Sequence, residues 1–147
     1  MAALVSEFGL HWRRDHVRWG GGRGVRRQIL GVPSGRTREE PVDFSDRAAI
    51  YVLFTEFEIV YIGQAGRGKD SNLGSRLAQH QRDHLAERWD RFSWFAIEGG
   101  RGTLGRVTVL NQLEAVLIAS AEPRLNRSGG NWHGAEQYRQ VNANNPQ

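Results

Sequence analysis

The sequence predicts an α/β fold of the α+β type, in which a small three-stranded antiparallel sheet is flanked by helices. Three segments rich in β-branched and aromatic residues lie in the middle of the chain, over residues 49–55, 58–63 and 91–97. Two segments with helical periodicity, over about 72–86 and 107–121, complete the pattern. The length of 147 residues suits one domain of ordinary size.

The first quarter of the chain is basic and rich in glycine. We expect residues 1–40 to form an N-terminal extension, residues 41–134 the folded domain and residues 135–147 a polar tail. The extension holds eight arginines and four acidic residues and so carries the whole net charge of +4. Guanidinium groups form bidentate hydrogen bonds with phosphate oxygens, which favours nucleic acid as the partner over a merely solvated basic segment. The predicted nucleic-acid-binding residues are Arg13, Arg14, Arg18, Arg23, Arg26 and Arg27, with Arg67 and Lys69 from a later loop.

The composition excludes several classes of protein. The chain has no cysteine, so disulfides, thiolate nucleophiles and zinc fingers are excluded. The longest apolar run, Ala48–Phe54, is far shorter than the ~20 residues that span a bilayer. Ala2–Val5 is too short for the core of a signal peptide. We therefore expect a cytoplasmic protein with no membrane partner.

Glycines and tryptophans mark the structure of the extension. The run Gly20-Gly21-Gly22-Arg23-Gly24 predicts a short hairpin. Trp12 and Trp19 lie among arginines, where they could stack on bases, but packing in the core is the favoured use. Trp89 and Trp94 are predicted core residues.

The strands at Ala49–Thr55 and Glu58–Gly63 are separated by only a few residues and predict an antiparallel hairpin. Tyr51 lies in the first strand and Tyr61 in the second, so their side chains can approach each other across the pair. Tyrosine is also a common strand residue, which leaves a purely structural reading of the pair.

The next segment predicts a helix capped by Asp70 or Ser71. Arg76 and His80 are four residues apart and therefore share one helix face. A solvated helix face is the alternative to a functional one. A zinc site at His80 and His84 is disfavoured because Arg76, on the same face, would repel a cation.

Glu114 is the most informative single residue. It lies in the apolar segment 107–121, which Pro123 ends, and shares a helix face with Leu110 and Leu117. A carboxylate in such surroundings must be paired, protonated or bound to a metal. An ion pair with an arginine is the alternative to a metal ligand.

Ala49-Ile50-Tyr51, followed ten residues later by Tyr61-Ile62-Gly63, resembles the signature of the GIY-YIG nuclease superfamily. Further residues follow in the family's order: Arg76, Glu114 and Asn126. The resemblance covers about residues 48–130. The chain departs from the pattern at Ala49, where the motif has glycine, and in a longer loop over 64–72.

The resemblance implies an endonuclease that hydrolyses phosphodiester bonds in nucleic acid, with DNA as the expected substrate. Glu114 would hold one divalent cation, Mg²⁺ or Mn²⁺, because the sequence lacks the clustered carboxylates that a two-metal site needs. Arg76 would neutralise the phosphate, Tyr51 would be the general base, Tyr61 would orient water or phosphate, and His80 would relay the proton. Gly63 and Asn126 would support the site structurally.

Two other functions remain open at this stage. One is a non-catalytic nucleic-acid-binding module on the same fold, and the other is an unrelated interaction domain whose basic arm binds an acidic protein. High sequence specificity would require the N-terminal arm or a protein partner. The oligomeric state, the choice between DNA and RNA, and the assignment of the two tyrosine roles stay open.

Overall fold

The structure is a computed structural model that describes residues 5–35, 39–97 and 135–144. These residues form a seven-stranded mixed sheet, one α-helix and one short 3-10 helix over Arg14–His16. The strands are β1 (Val5–Arg13), β2 (Leu30–Pro33), β3 (Val42–Asp43), β4 (Ala49–Thr55), β5 (Glu58–Ala65), β6 (Arg91–Ile97) and β7 (Glu136–Val141), and the helix is α1 (Leu73–Gln79).

The sheet has the strand order β3-β2-β7-β1-β6-β4-β5. Strand β1 pairs with β7 in parallel, and the other neighbours are antiparallel. Strand β4 therefore lies between β5 and β6, and its residues Ala49–Phe54 are all buried.

The predicted three-stranded sheet flanked by helices is wrong, because the described residues form a mostly β fold with one α-helix. Strands β4 and β6 have the predicted bounds, and β5 extends the predicted strand to Ala65. The sheet is larger because β1 and β2 come from the predicted basic extension and β7 from the predicted polar tail. The second predicted helix, over residues 107–121, lies outside the described residues.

Irregular pairing explains why β1 gave no strand signal. Its register with β6 shifts between Val5 and Glu7 and again between Gly9 and Trp12, and His11 has a φ of 55°. These bulges break the period of two that identifies a strand in sequence. The buried residues of β1 are consequently Val5, Gly9 and Trp12.

Trp12 is a core residue, as predicted, and two strand glycines make room for its indole. A Cβ on Gly9 would lie 2.4 Å from Trp12 Cε2, and a Cβ on Gly31 would lie 2.5 Å from Trp12 Cη2. Trp89 and Trp94 are also buried, as predicted. Trp19 is partly buried and packs edge-on against Trp89. The predicted hairpin around Gly20–Gly24 is reduced to a single antiparallel bridge between Arg18 and Gln28.

The core has two clusters, and β4 contributes to both. Ala49, Tyr51 and Leu53 belong to the larger cluster, which also contains Leu73 and Leu77 of α1. The alternate residues Ile50, Val52 and Phe54 belong to the second cluster. The alternation of a strand therefore directs Tyr51 toward α1.

Helix α1 begins and ends at other residues than the sequence predicted. Its N-cap is Asn72, whose side chain accepts a hydrogen bond from the Ser75 backbone N–H at 2.9 Å. The helix ends at Gln79 and turns follow, and the carbonyl of His80 accepts the Trp89 Nε1–H at 3.0 Å. Among the residues that the structure describes, no helix is long and apolar enough to cross a membrane.

Candidate active site

The two tyrosines of the hairpin lie on one face of the sheet. Tyr51 is opposite Gly63 and Tyr61 is opposite Leu53, so the two tyrosines are diagonal neighbours. Their ring centroids are 6.1 Å apart. A Cβ on Gly63 would lie 2.4 Å from Tyr51 Cζ and 2.7 Å from Tyr61 Cε2. Glycine at this position therefore leaves room for both rings beside the strand.

His80 contacts both tyrosines from the C-terminal end of α1. Its Nε2 lies 2.7 Å from Tyr51 Oη, within hydrogen-bond distance, and its ring centroid is 4.9 Å from that of Tyr61. On the other side of the ring, His80 Nδ1 lies 2.7 Å from Asp83 Oδ2. Tyr51 and His80 are buried, whereas the Asp83 side chain is one-third exposed. The three residues form a hydrogen-bonded chain from the buried phenol to a carboxylate near the surface.

The carboxylate fixes the direction of these hydrogen bonds. An ionised carboxylate only accepts, so His80 Nδ1 carries a proton and donates it to Asp83. In the neutral imidazole the other nitrogen then has a free lone pair, and Tyr51 Oη–H donates to Nε2. This arrangement places a proton acceptor directly behind the phenol. An adjacent histidine that accepts the hydroxyl or thiol proton activates serine and cysteine nucleophiles in the same way.

Burial raises the pKa of Tyr51 to about 12, with the hydroxyl of Tyr61 adding to the rise and the positive charge of Arg76 opposing it. The pKa of the Asp83 carboxyl shifts the other way. Burial would raise that pKa, but hydrogen bonds from the Leu85 backbone and from His80 outweigh the effect and hold it below its usual value. At neutral pH the site therefore combines a protonated phenol with an ionised carboxylate.

Arg76 lies beside the hydrogen bonds that join Tyr51, His80 and Asp83, and one of its N–H groups has no partner among the described residues. Its Nη1 donates to Gln79 Oε1 at 3.0 Å, while its buried Nε has no hydrogen-bond partner among the described residues. A buried unpartnered N–H of a guanidinium is costly, and an anion bound there would satisfy it. An anion bound at the Arg76 guanidinium is one way to offset that cost.

Glu114 and Asn126 lie outside the described residues, so the structure brings together Tyr51, Tyr61, Arg76 and His80 of the predicted site. Among the described ranges, no group of three or more histidine or acidic side chains could hold a metal ion. Both ring nitrogens of His80 are already engaged, by Tyr51 and Asp83. The disfavoured zinc site at His80 therefore gains no support.

The eight predicted nucleic-acid-binding residues lie in four different places. Three of them make contacts within the fold, because Arg13 pairs with Asp15, Arg14 stacks on Trp89, and Arg18 donates to the Ala143 carbonyl. Three others line one surface groove: Arg26, Arg27 and Lys69. Arg67 borders a different depression, and Arg23 is exposed on the glycine-rich loop.

Asp83, Gln79 and Arg82 are not among the predicted site residues. Asp83 carried a weak signal, since it lies three residues after His80 and would share a helix face with it. The two side chains do meet, but not on a helix face: α1 ends before Asp83, and the contact is made across a turn. Gln79 and Arg82 follow from the structure alone.

Comparisons of this chain with models of protein families, with curated proteins and with solved structures gave no match.

Proposed function

We propose that this chain is a nuclease that hydrolyses phosphodiester bonds in nucleic acid, with DNA as the expected substrate. One observation carries the proposal: the hydrogen bonds that join Tyr51, His80 and Asp83 lie beside the Arg76 guanidinium, whose Nε has no partner among the described residues. A general base beside an anion-binding donor is what attack of water on a phosphodiester requires. The resemblance of the sequence to the GIY-YIG nuclease superfamily supports the same conclusion.

In this mechanism the attacking water gives a proton to Tyr51 Oη. The phenol proton moves at the same time to His80 Nε2, so that no free phenolate forms in the buried site. The resulting imidazolium is stabilised by the Asp83 carboxylate, which keeps its negative charge throughout. Proton transfer of this kind contributes about 10²–10⁴-fold to a rate.

Arg76 and Tyr61 would act on the phosphate. The Arg76 guanidinium would neutralise negative charge on the non-bridging oxygens, and its Nε has no hydrogen-bond partner among the described residues. The hydroxyl of Tyr61, on the same face of the hairpin as Tyr51, would orient the water or the phosphate. Both residues position groups that react and neither needs to change its protonation state.

A divalent cation is part of the proposal and depends on Glu114. The described groups at the site are phenols, an imidazole and a guanidinium, and Mg²⁺ prefers oxygen ligands such as carboxylates. Asp83 is already bound to His80, so the described residues alone do not make a magnesium site. We assign the cation, Mg²⁺ or Mn²⁺, to Glu114, where it would supply Lewis-acid stabilisation of the phosphate charge.

One observation favours a non-catalytic nucleic-acid-binding module as the second candidate. The pKa of Tyr51, raised to about 12 by burial, makes its phenol a poor base unless His80 takes its proton. A protonated, fully buried Tyr51 would also serve as a packing residue. The two functions differ in whether the Tyr51 hydroxyl is needed for cleavage.

The decisive experiment removes that hydroxyl and leaves the ring. Supercoiled plasmid and single-stranded DNA are incubated with the full chain, with Mg²⁺, Mn²⁺ or chelator, beside Tyr51→Phe. The matched control is Tyr138→Phe, since Tyr138 is also buried, also has a pKa raised to about 12 by burial and the nearby Glu7 and Glu136 carboxylates, and lies on β7. We expect Tyr51→Phe to lose about 10²–10⁴-fold in cleavage rate with DNA affinity retained, and Tyr138→Phe to cut like the parent. Equal cleavage by both variants would refute the proposed site.

A further inference from the structure

A groove of about 540 Å³ runs beside α1 on the surface that adjoins the candidate active site. Four cationic side chains line it, and we call it the basic groove: Arg26, Arg27, Lys69 and Arg82. Arg26 and Arg27 come from the glycine-rich segment before β2, Lys69 from the loop before α1, and Arg82 from the turn after α1. Residues distant in the sequence therefore present one sign of charge to one surface.

The positive charge of the basic groove exceeds its negative charge. Two acidic residues, Asp46 and Asp70, also line it. The Asp46 carboxylate already accepts a hydrogen bond from Arg47 Nη1 at 2.8 Å, which offsets its charge. Within the part of the chain that the structure describes, the ion pairs involve Arg13, Arg47 and two histidines, and none involves a cation of the groove.

Part of the groove is built into the fold. The Arg27 side chain lies across α1, where its Nε donates to the Trp19 carbonyl at 3.3 Å and its Nη1 lies 3.5 Å from Ser75 Oγ. This approach depends on Gly74, because a Cβ there would lie 3.0 Å from Arg27 Cδ and 2.8 Å from Ser45 Cβ. The guanidinium is thus held at the groove and not extended freely into solvent.

The basic groove joins the candidate active site through Gln79. This residue lines the groove, and its Oε1 accepts the hydrogen bond from Arg76 Nη1. Helix α1 has 7 residues and, at ~1.5 Å per residue, is about 10 Å long. This helix length equals the axial rise of about three nucleotides of a nucleic acid strand, at about 3.4 Å each.

We infer that the basic groove binds the phosphates that flank the one to be cut, a conclusion that rests on the proposed nuclease function. A strand whose scissile phosphate meets Arg76 can continue past Gln79 and place neighbouring phosphates against Arg27 and the more exposed cations. The lining favours this occupant over an acidic protein segment. Apart from Ala78, the residues that line the groove are polar or charged, so it offers no apolar pocket to anchor a peptide.

The test measures binding without cleavage. Affinity of the full chain for a labelled DNA duplex is measured with chelator present, over a series of salt concentrations. Arg26→Gln/Arg82→Gln removes two positive charges from exposed positions of the groove. The matched control, Arg88→Gln/Arg139→Gln, removes two from exposed positions outside the lining. Polyglutamate competition and cleavage with Mg²⁺ are measured in parallel.

We expect the groove variant to bind more weakly and to lower the slope of log affinity against log salt by about 1.8, at about 0.9 per lost phosphate contact. The control should keep the slope of the parent. If both variants bind like the parent while cleavage by the parent is retained, the groove inference is wrong and the nuclease stands. If the groove variant alone loses binding but the parent never cuts, the nucleic-acid surface stands and the nuclease proposal fails. Competition by polyglutamate as strong as competition by DNA at equal charge would overturn the assignment to nucleic acid.

Discussion

Replacing Asp83 by asparagine tests the Tyr51–His80–Asp83 chain at its outer end. The new side chain can keep the structural contact, because an amide oxygen can accept the Leu85 backbone N–H as Asp83 Oδ1 does at 2.8 Å. It changes the other contact, because the amide nitrogen is a donor and would face His80 Nδ1 at the position where the carboxylate accepts at 2.7 Å. Two N–H groups that face each other cannot form a hydrogen bond, so the His80 ring would carry its proton on Nε2 and leave Nδ1 as the acceptor.

That tautomer would remove the acceptor that Tyr51 uses. His80 Nε2–H would then donate to Tyr51 Oη, and the phenol would have no base behind it. We expect the cleavage rate of Asp83→Asn to fall by about 10²–10⁴-fold, the full contribution of a general base. DNA affinity should change little, since Arg76 is not altered, and the variant should stay folded, since the Leu85 contact is kept.

Two measurements together decide whether Asp83 positions His80 or only caps a turn. Single-turnover cleavage gives the rate, and ¹⁵N chemical shifts of the His80 ring give the tautomer. Asp90→Asn is the matched control, because Asp90 Oδ1 also accepts a backbone N–H, from Glu56 at 2.9 Å, away from His80. An Asp83→Asn protein that keeps both the parent's rate and the parent's ¹⁵N pattern would refute the relay.

Three further predictions concern packing, the metal and pH. Gly63→Ala should cost about 1–3 kcal/mol in urea unfolding and reduce cleavage, because its Cβ would overlap the rings of Tyr51 and Tyr61; an unchanged midpoint would contradict this packing. Glu114→Ala should abolish metal-dependent cleavage, while its circular dichroism spectrum stays the same as that of the parent. A variant that still cuts with Mg²⁺ would refute the assignment of the cation to Glu114. The folded pKa of Asp83 is lowered from 3.8, so its contribution to stability is present above that value and is lost as the pH falls through the lowered pKa. The difference in unfolding free energy between the parent and Asp83→Asn should therefore shrink as the pH falls below 3.8. A difference that stays constant with pH would count against the lowered pKa.

The strands that the sequence predicted correctly are those specified by their own residues. Strand β4 is a continuous run of apolar and β-branched residues, and β6 alternates, so both keep their bounds whatever they pair with. Strand β7 has only one buried side chain, Tyr138, among polar neighbours. Its place between β1 and β2 depends on pairing with segments more than a hundred residues away, which no local pattern records.

The candidate site divides in a similar way. The approach of Tyr51 to Tyr61 follows from a short hairpin, and that of Arg76 to His80 follows from a helical turn, so local geometry was enough to predict both pairs. The contact of His80 with Asp83 is made in the turn that follows α1, where the His80 carbonyl accepts the Trp89 indole N–H. Helical periodicity alone predicts a helix that continues through this turn.

The central position of β4 buries Tyr51, and this burial determines which partners the phenol needs to act as a base. Between β5 and β6 and under α1, Tyr51 is fully buried, and its pKa of about 12 follows from that burial. At 1.36 kcal/mol per pKa unit, ionising such a phenol at pH 7 costs about 7 kcal/mol. General-base catalysis of about 10²–10⁴-fold corresponds to only about 3–5 kcal/mol, so a lone Tyr51 would lose more than it contributes. His80 Nε2 lies 2.7 Å from the phenol oxygen and can accept its proton. The burial that makes Tyr51 a poor base by itself therefore makes His80 and its aspartate necessary partners in the proposed reaction.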